Sequence, residues 1–290
     1  MKQIRIFHAG SLTWPLQQIA RPFEVDNPGM EVILAGSGAR LAARKVMEGQ
    51  PCDLMASADY RIIEDLLKPE YAKFNLIFAK TKLVLSFTKQ SRYGEEINED
   101  NWYEILLRPS VTYGHTDPEL DPAGYRARLC WKLAETYYNQ PGLYQKLVGN
   151  LSPLNILTDS QIIHARMQTG ELDYFFGYEA TACRRGHYYI NLPAAIDFST
   201  VDYAANYAQA KLQLVGKQPG TLMNITGHAI QYSITLVEQA PQRGEAIQFL
   251  EYVLTHGRRF IQESGLVPLP LRLSNDADAV YLPSTIRQLL

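Results

Sequence analysis

Ile4-Arg5-Ile6-Phe7-His8-Ala9-Gly10-Ser11-Leu12 and, further on, Val32-Ile33-Leu34-Ala35-Gly36-Ser37-Gly38 are the stretches that decide how this chain reads. In each, an apolar strand pattern runs into Gly-Ser, and a helix pattern follows. A helix start carries unpaired N–H groups and a partial positive charge. Glycine there lets backbone approach a ligand closely, and serine adds a hydroxyl donor. Two such ends facing one another make an anion cradle, with Gly10, Ser11, Gly36 and Ser37 as candidate donors. Each serine also suits the plainer role of a helix N-cap.

The chain has 290 residues, 46% hydrophobic and 20% charged, with a formal net charge of −2. This is the composition of a soluble globular protein, long enough for two lobes. The charge gives no basis for a nucleic-acid partner, and no run is long and apolar enough to span a membrane. Met1-Lys2-Gln3 enters a strand directly, without the apolar stretch of an export signal. The expectation is either a cytosolic protein or a mature form whose signal has been removed. Cys52, Cys130 and Cys183 lie far apart, form no CxxC pair and read as buried small hydrophobes.

Helix patterns at residues 19–25, 40–47 and 59–67 alternate with strand patterns at 32–34 and 52–56. That β-α-β-α-β run predicts a parallel sheet with right-handed crossovers. After a strand at 82–87, a second α/β unit is expected. It holds a strand at 111–114, a helix capped by Asp121 with Pro122 in first position, and a helix at 160–168 stopped by Gly170. Strands at 174–178 and 188–192 complete it. The chain then returns through a strand at 231–236 and helices at 242–254 and 258–264 to a Pro-rich end. Residues 200–220 carry no readable pattern. The fold class expected is α/β with two lobes, residues 1–83 with 231–290 and residues 84–230. Two crossing strands join them, with a ligand cleft between that closes about a hinge.

Several strings occur in a telling order: His8-Ala9-Gly10-Ser11-Leu12, Ala35-Gly36-Ser37, Ala56-Ser57-Ala58-Asp59-Tyr60 and Asn101-Trp102-Tyr103-Glu104-Ile105-Leu106. They continue with Asp117-Pro118-Glu119-Leu120-Asp121-Pro122-Ala123-Gly124-Tyr125-Arg126 and Gly170-Glu171-Leu172-Asp173-Tyr174-Phe175-Phe176, and end in residues 246–265. In these the chain resembles the archaeal-type tungstate/molybdate-binding proteins of ABC transporters. The resemblance implies a type II periplasmic-binding-protein fold and no enzymatic activity. It implies capture of a tetrahedral oxyanion, tungstate or molybdate, for delivery to an ABC permease in the membrane. A periplasmic or extracellular membrane-associated location, a monomer and no cofactor go with it. Ser11 and Ser37 take the donor roles; Ser57, after the third strand, suits lining the cleft and capping its own turn equally well, and Tyr125 joins the ligand-binding set. Asp121 becomes an oxygen ligand to the metal centre of the bound oxyanion. Tungsten and molybdenum expand their coordination where the sulfur of sulfate and the phosphorus of phosphate do not, so Asp121 would repel those competitors.

One departure stands out. The family string Asp-Tyr-x-Phe-Glu-Tyr reads Asp173-Tyr174-Phe175-Phe176-Gly177-Tyr178 here, so Gly177 replaces a second carboxylate. Alternate strand residues share a face, which makes Glu179 the expected substitute. Arg126 reads as half of an ion pair, His8 as a packed histidine, and the run from Tyr174 to Tyr178 as core. Three other readings stay open from sequence alone, the first being a binding protein for another tetrahedral or small carboxylate anion. An intracellular anion-sensing domain fits the missing export signal, although no helix-turn-helix segment accompanies it. An enzyme on the same fold would need a Ser-His-Asp, Cys-His or metal-ligand constellation, and none has convincing spacing.

Overall fold

The computed structural model describes residues 1–290 except Asp159 and Pro219, with the side chains of Ser160 and Gln161 also left aside. In chain order the strands are β1 Lys2–Ala9, β2 Met30–Ser37, β3 Leu54–Ser57, β4 Leu76–Lys80, β5 Leu83–Phe87, β6 Tyr113–Thr116 and β7 Ile156–Leu157. They continue as β8 Tyr174–Tyr178, β9 Tyr188–Asn191, β10 Lys211–Val215, β11 Leu222–Thr226, β12 Gln231–Leu236 and β13 Val267–Leu273. The chain forms two compact units, Met1–Lys80 with Gln231–Leu290, and Thr81–Ile230.

The first unit is built on a six-stranded sheet in the order β13-β4-β12-β3-β1-β2. β1 runs parallel to both β2 and β3, with His8 opposite Gly36 and Ala56, and Ala9 opposite Ser37. The carboxyl ends of three parallel strands therefore lie side by side. Helix α1, Thr13–Asp26, covers the sheet with Leu16, Ile19, Ala20 and Phe23 buried at helical spacing. Phe23 meets Phe249 edge to face, with ring centroids 4.9 Å apart. Helix α2, Ala39–Met47, follows β2.

The second unit holds a five-stranded sheet in the order β7-β6-β8-β5-β9, in which β6 is parallel to β7 and β8, and a separate β10-β11 hairpin. The helix Pro122–Tyr137 packs on this sheet through Trp131, whose ring lies 6.0 Å from Tyr113 and 5.5 Å from Phe176. Tyr174, Phe175, Phe176 and Tyr178 are buried, so the aromatic run is core.

The chain leaves the first unit after Lys80 and re-enters it at Gln231, so β5 belongs wholly to the second sheet. β13 forms in the Pro-rich end because it is an edge strand, where Pro268 and Pro270 need not donate to a second neighbour. The segment without a readable pattern, residues 200–220, holds the helical turns Val201–Tyr203 and Ala204–Tyr207 and then strand β10, which pairs with β11 just beyond it; Pro219 of that segment lies outside the described residues. Cys183 corrects the reading of three buried cysteines: Cys52 and Cys130 are buried, while Cys183 is exposed on the helix Glu179–Arg185. Burial pushes the Cys52 thiol up to about 12.

Candidate functional site

The first unit presents its glycines and serines at the carboxyl ends of β1 and β2. After β1, Gly10–Leu12 forms one 3₁₀ turn that leads into α1; after β2, Gly38 leads into α2. Neither serine is a cap. The N-cap residues are Leu12 and Gly38, and neither makes a side-chain cap bond. Ser11 Oγ accepts a hydrogen bond from Tyr232 Oη at 2.9 Å. Its own hydrogen has no acceptor among the described residues. Ser37 Oγ has only a long contact, 3.3 Å to the Gly38 carbonyl. Two hydroxyls at neighbouring strand ends thus retain donor capacity next to two helix starts.

The two glycines serve different ends. A Cβ on Gly10 would meet nothing within 4 Å, and the residue is exposed. A Cβ on Gly36 would fall 2.9 Å from His8 Cε1 and 3.0 Å from Thr13 Oγ1. The His8 ring therefore forbids any side chain there. His8 is fully buried, and its Nδ1 lies 2.9 Å from the Ala9 carbonyl, which assigns the proton to Nδ1. Burial lowers its pKa, so the imidazole is neutral and packs as the sequence suggests.

Ser57 ends β3 beside these groups, but its hydroxyl is engaged in both directions. Oγ donates to the Asp59 carbonyl at 2.6 Å and accepts from the Asp59 N–H at 3.0 Å, and the residue is fully buried. Asp59 in turn caps the next helix by accepting from the Arg61 N–H at 2.9 Å. Ser57 is a turn residue here, and its expected ligand role finds no free hydroxyl.

In the second unit, Asp121 and Tyr125 share the first turn of the helix that follows β6. Asp121 is the N-cap: its Oδ1 accepts from the Ala123 N–H at 2.8 Å and from Thr116 Oγ1 at 3.2 Å. Both bonds fall on Oδ1, which leaves Oδ2 open to another partner. Burial holds the carboxyl above the usual carboxylate range; the Ala123 N–H, the Thr116 hydroxyl and Arg126 act against it. Gly124 fixes this geometry, because a Cβ there would stand 2.0 Å from the Thr116 carbonyl oxygen. Tyr125 is buried, with the Arg126 guanidinium 5.6 Å from its ring centroid. Arg126, 1% exposed, donates to Tyr178 Oη at 2.9 Å and lies 3.4 Å from His228 Nε2.

The structure does not continue β8 to Glu179. The strand ends at Tyr178, and Glu179 begins the helix Glu179–Arg185. The shared-face argument for Glu179 therefore fails. Its carboxylate pairs with Lys82 Nζ at 3.0 Å and lies 3.3 Å from Tyr189 Oη. Gly177 sits in β8, which is the parallel neighbour of β6, so its position lies along the same sheet end as the exit to Asp121. A Cβ on Gly177 would meet only the Phe175 ring, at 3.5 Å, an ordinary contact. Sequence reading missed Tyr232, because nothing local to a buried strand shows which hydroxyl it reaches.

The family model for bacterial extracellular solute-binding proteins matches residues 4–267. The chain belongs to that family. It is 43% identical over 265 residues to a solute-binding protein of Petrotoga mobilis, covering 91% of this chain and 83% of that one. It is 34% identical over 291 residues to the molybdate/tungstate-binding protein WtpA of Thermococcus kodakarensis, covering 89% and 80%. Among solved structures it is similar to the periplasmic molybdate-binding protein of Azotobacter vinelandii, with a TM-score of 0.60, 18% identity and coverage of 92% and 99%. That likeness establishes the periplasmic-binding-protein fold. By its family the chain is thus a solute-binding protein and not an enzyme. No helix among the described residues is long and apolar enough to cross a membrane.

Proposed function

We propose that the solute is a tetrahedral oxyanion, tungstate or molybdate in preference to sulfate, captured outside the cytoplasm and handed to an ABC permease. The observation that carries this reading is the pair of uncapped serines, Ser11 and Ser37, at adjacent strand ends beside the exposed Gly10 and the obligatory Gly36. Their hydroxyls and the neighbouring N–H groups are neutral donors, which bind a dianion without a counter-charge. The WtpA relative, named for molybdate and tungstate, supports the choice of ligand.

Asp121 supports the preference over sulfate. An oxygen of its carboxylate is open, and a carboxylate beside an anion repels it unless the central atom accepts a further oxygen. Tungsten and molybdenum do so; sulfur does not. With Gly177 in place of the second carboxylate and Glu179 engaged by Lys82, the reading assigns one carboxylate to the ligand.

Isothermal titration with tungstate, molybdate, sulfate and phosphate tests the reading. Ser11→Ala and Ser37→Ala should each cost about 1–3 kcal/mol of binding, as for a hydrogen bond to a charged group. Backbone donors remain, so part of the affinity should survive. A double alanine variant that binds as tightly as the parent would remove this site.

A further inference from the structure

We propose that Tyr232 is a positioning residue that makes Ser11 a donor to the bound anion, an inference that rests on the oxyanion reading above. Tyr232 is fully buried in β12, and its Oη donates to Ser11 Oγ at 2.9 Å across 221 residues of chain. A serine oxygen that accepts from the phenol turns its own hydrogen elsewhere. No described residue takes that hydrogen, and the adjacent Gly10 is exposed with open space around it. The contact therefore does two things. It holds the Ser11 rotamer in place before a ligand arrives, which removes an ordering cost from binding. It also polarises the Ser11 O–H, because a hydroxyl that accepts one hydrogen bond donates a stronger one.

The location of Tyr232 adds to this. It is the second residue after the chain re-enters the first unit, and the β12/β4 register shifts between Tyr232 and Ser233. A bulge re-aims a side chain that regular pairing would send elsewhere. The same segment that brings the chain back thus orients the serine in the first turn.

A double-mutant cycle on the full chain tests the inference, with molybdate as the probe. Tyr232→Phe should weaken molybdate binding on the order of tenfold. In the Ser11→Ala background the same substitution should change nothing, since there is no hydroxyl left to orient. Equal losses in both backgrounds would make Tyr232 a general packing residue and overturn the inference, as would no loss in either. If Ser11→Ala alone leaves molybdate binding intact, the inference falls while the oxyanion reading stands. If the parent binds none of tungstate, molybdate or sulfate, both fall. Thermal melts of the unliganded variants guard the comparison: Phe keeps the buried ring, so all four proteins should fold.

Discussion

Replacing Asp121 by asparagine separates its structural work from its proposed ligand role. As the N-cap of Pro122–Tyr137 it accepts from the Ala123 N–H and the Thr116 hydroxyl through Oδ1. Asparagine caps as well as aspartate, so both bonds survive and the change in the cap is a few tenths of a kcal/mol at most. Asp121→Ala removes the acceptor and should cost about 1 kcal/mol, or about 2–4 °C in Tm for a domain of this size. The charge tells the two apart from the other side. Burial raises the folded-state pKa of Asp121 above its unfolded value. An acid raised in this way binds more protons when folded, so its contribution to stability falls as pH rises from the ordinary carboxylate range through the raised value. The unliganded Asn variant lacks that loss. It should match the parent at acid pH and be at least as stable at pH 7, in melts run across that range. In titration calorimetry the same variant should bind tungstate at least tenfold more weakly, the equivalent of about 1.4 kcal/mol or more, and sulfate more tightly. A variant that keeps the parent's affinity and its preference for tungstate over sulfate refutes the coordination role and leaves Asp121 as a cap alone.

Two further substitutions address the neighbourhood of Asp121. Gly124→Ala places a methyl 2.0 Å from the Thr116 carbonyl oxygen, a backbone atom that cannot turn aside. It should destabilise the protein by at least about 1–3 kcal/mol in urea melts and weaken oxyanion binding with it, because the capped turn must move; wild-type stability would show that the turn yields freely. Gly177→Glu meets only ordinary contact with Phe175, so it should fold. If the site takes a second carboxylate, the metal-edge absorption spectrum of the tungstate complex should show a higher coordination number than in the parent, and an unchanged spectrum would count against carboxylate ligation at this sheet end.

What neighbours along the chain decide was readable from the amino acids. The Gly-Ser turns, the Asp121 cap with Pro122 behind it, the stop at Gly170 and the buried aromatic strand all depend on residues a few positions apart, and each formed close to where the pattern placed it. Gly170 adopts φ +75° and Gly265 φ +87°, the left-handed conformation that ends a helix. The family strings added the fold, because they run in order over nearly the whole chain.

Tertiary structure decided the rest, wherever a residue's role is set by a partner distant in sequence. β13 is a strand because it completes a ladder with β4, despite its own two prolines. Gly36 is obligatory because sheet pairing sets the His8 ring against it, 28 positions away in sequence but directly opposite in the β1/β2 register. Glu179 looked like a strand neighbour of Gly177, yet β8 ends at Tyr178 and Lys82 takes the carboxylate. Ser57 reads from sequence as either a cleft donor or a cap, and its own turn engages the hydroxyl. Ser11 itself reads the same, cap or ligand donor, from any local window. Only the return of the chain through β12, which brings Tyr232 to its oxygen, settles which way that hydroxyl faces, because hydrogen-bond direction is a property of the assembled pair and not of either residue alone.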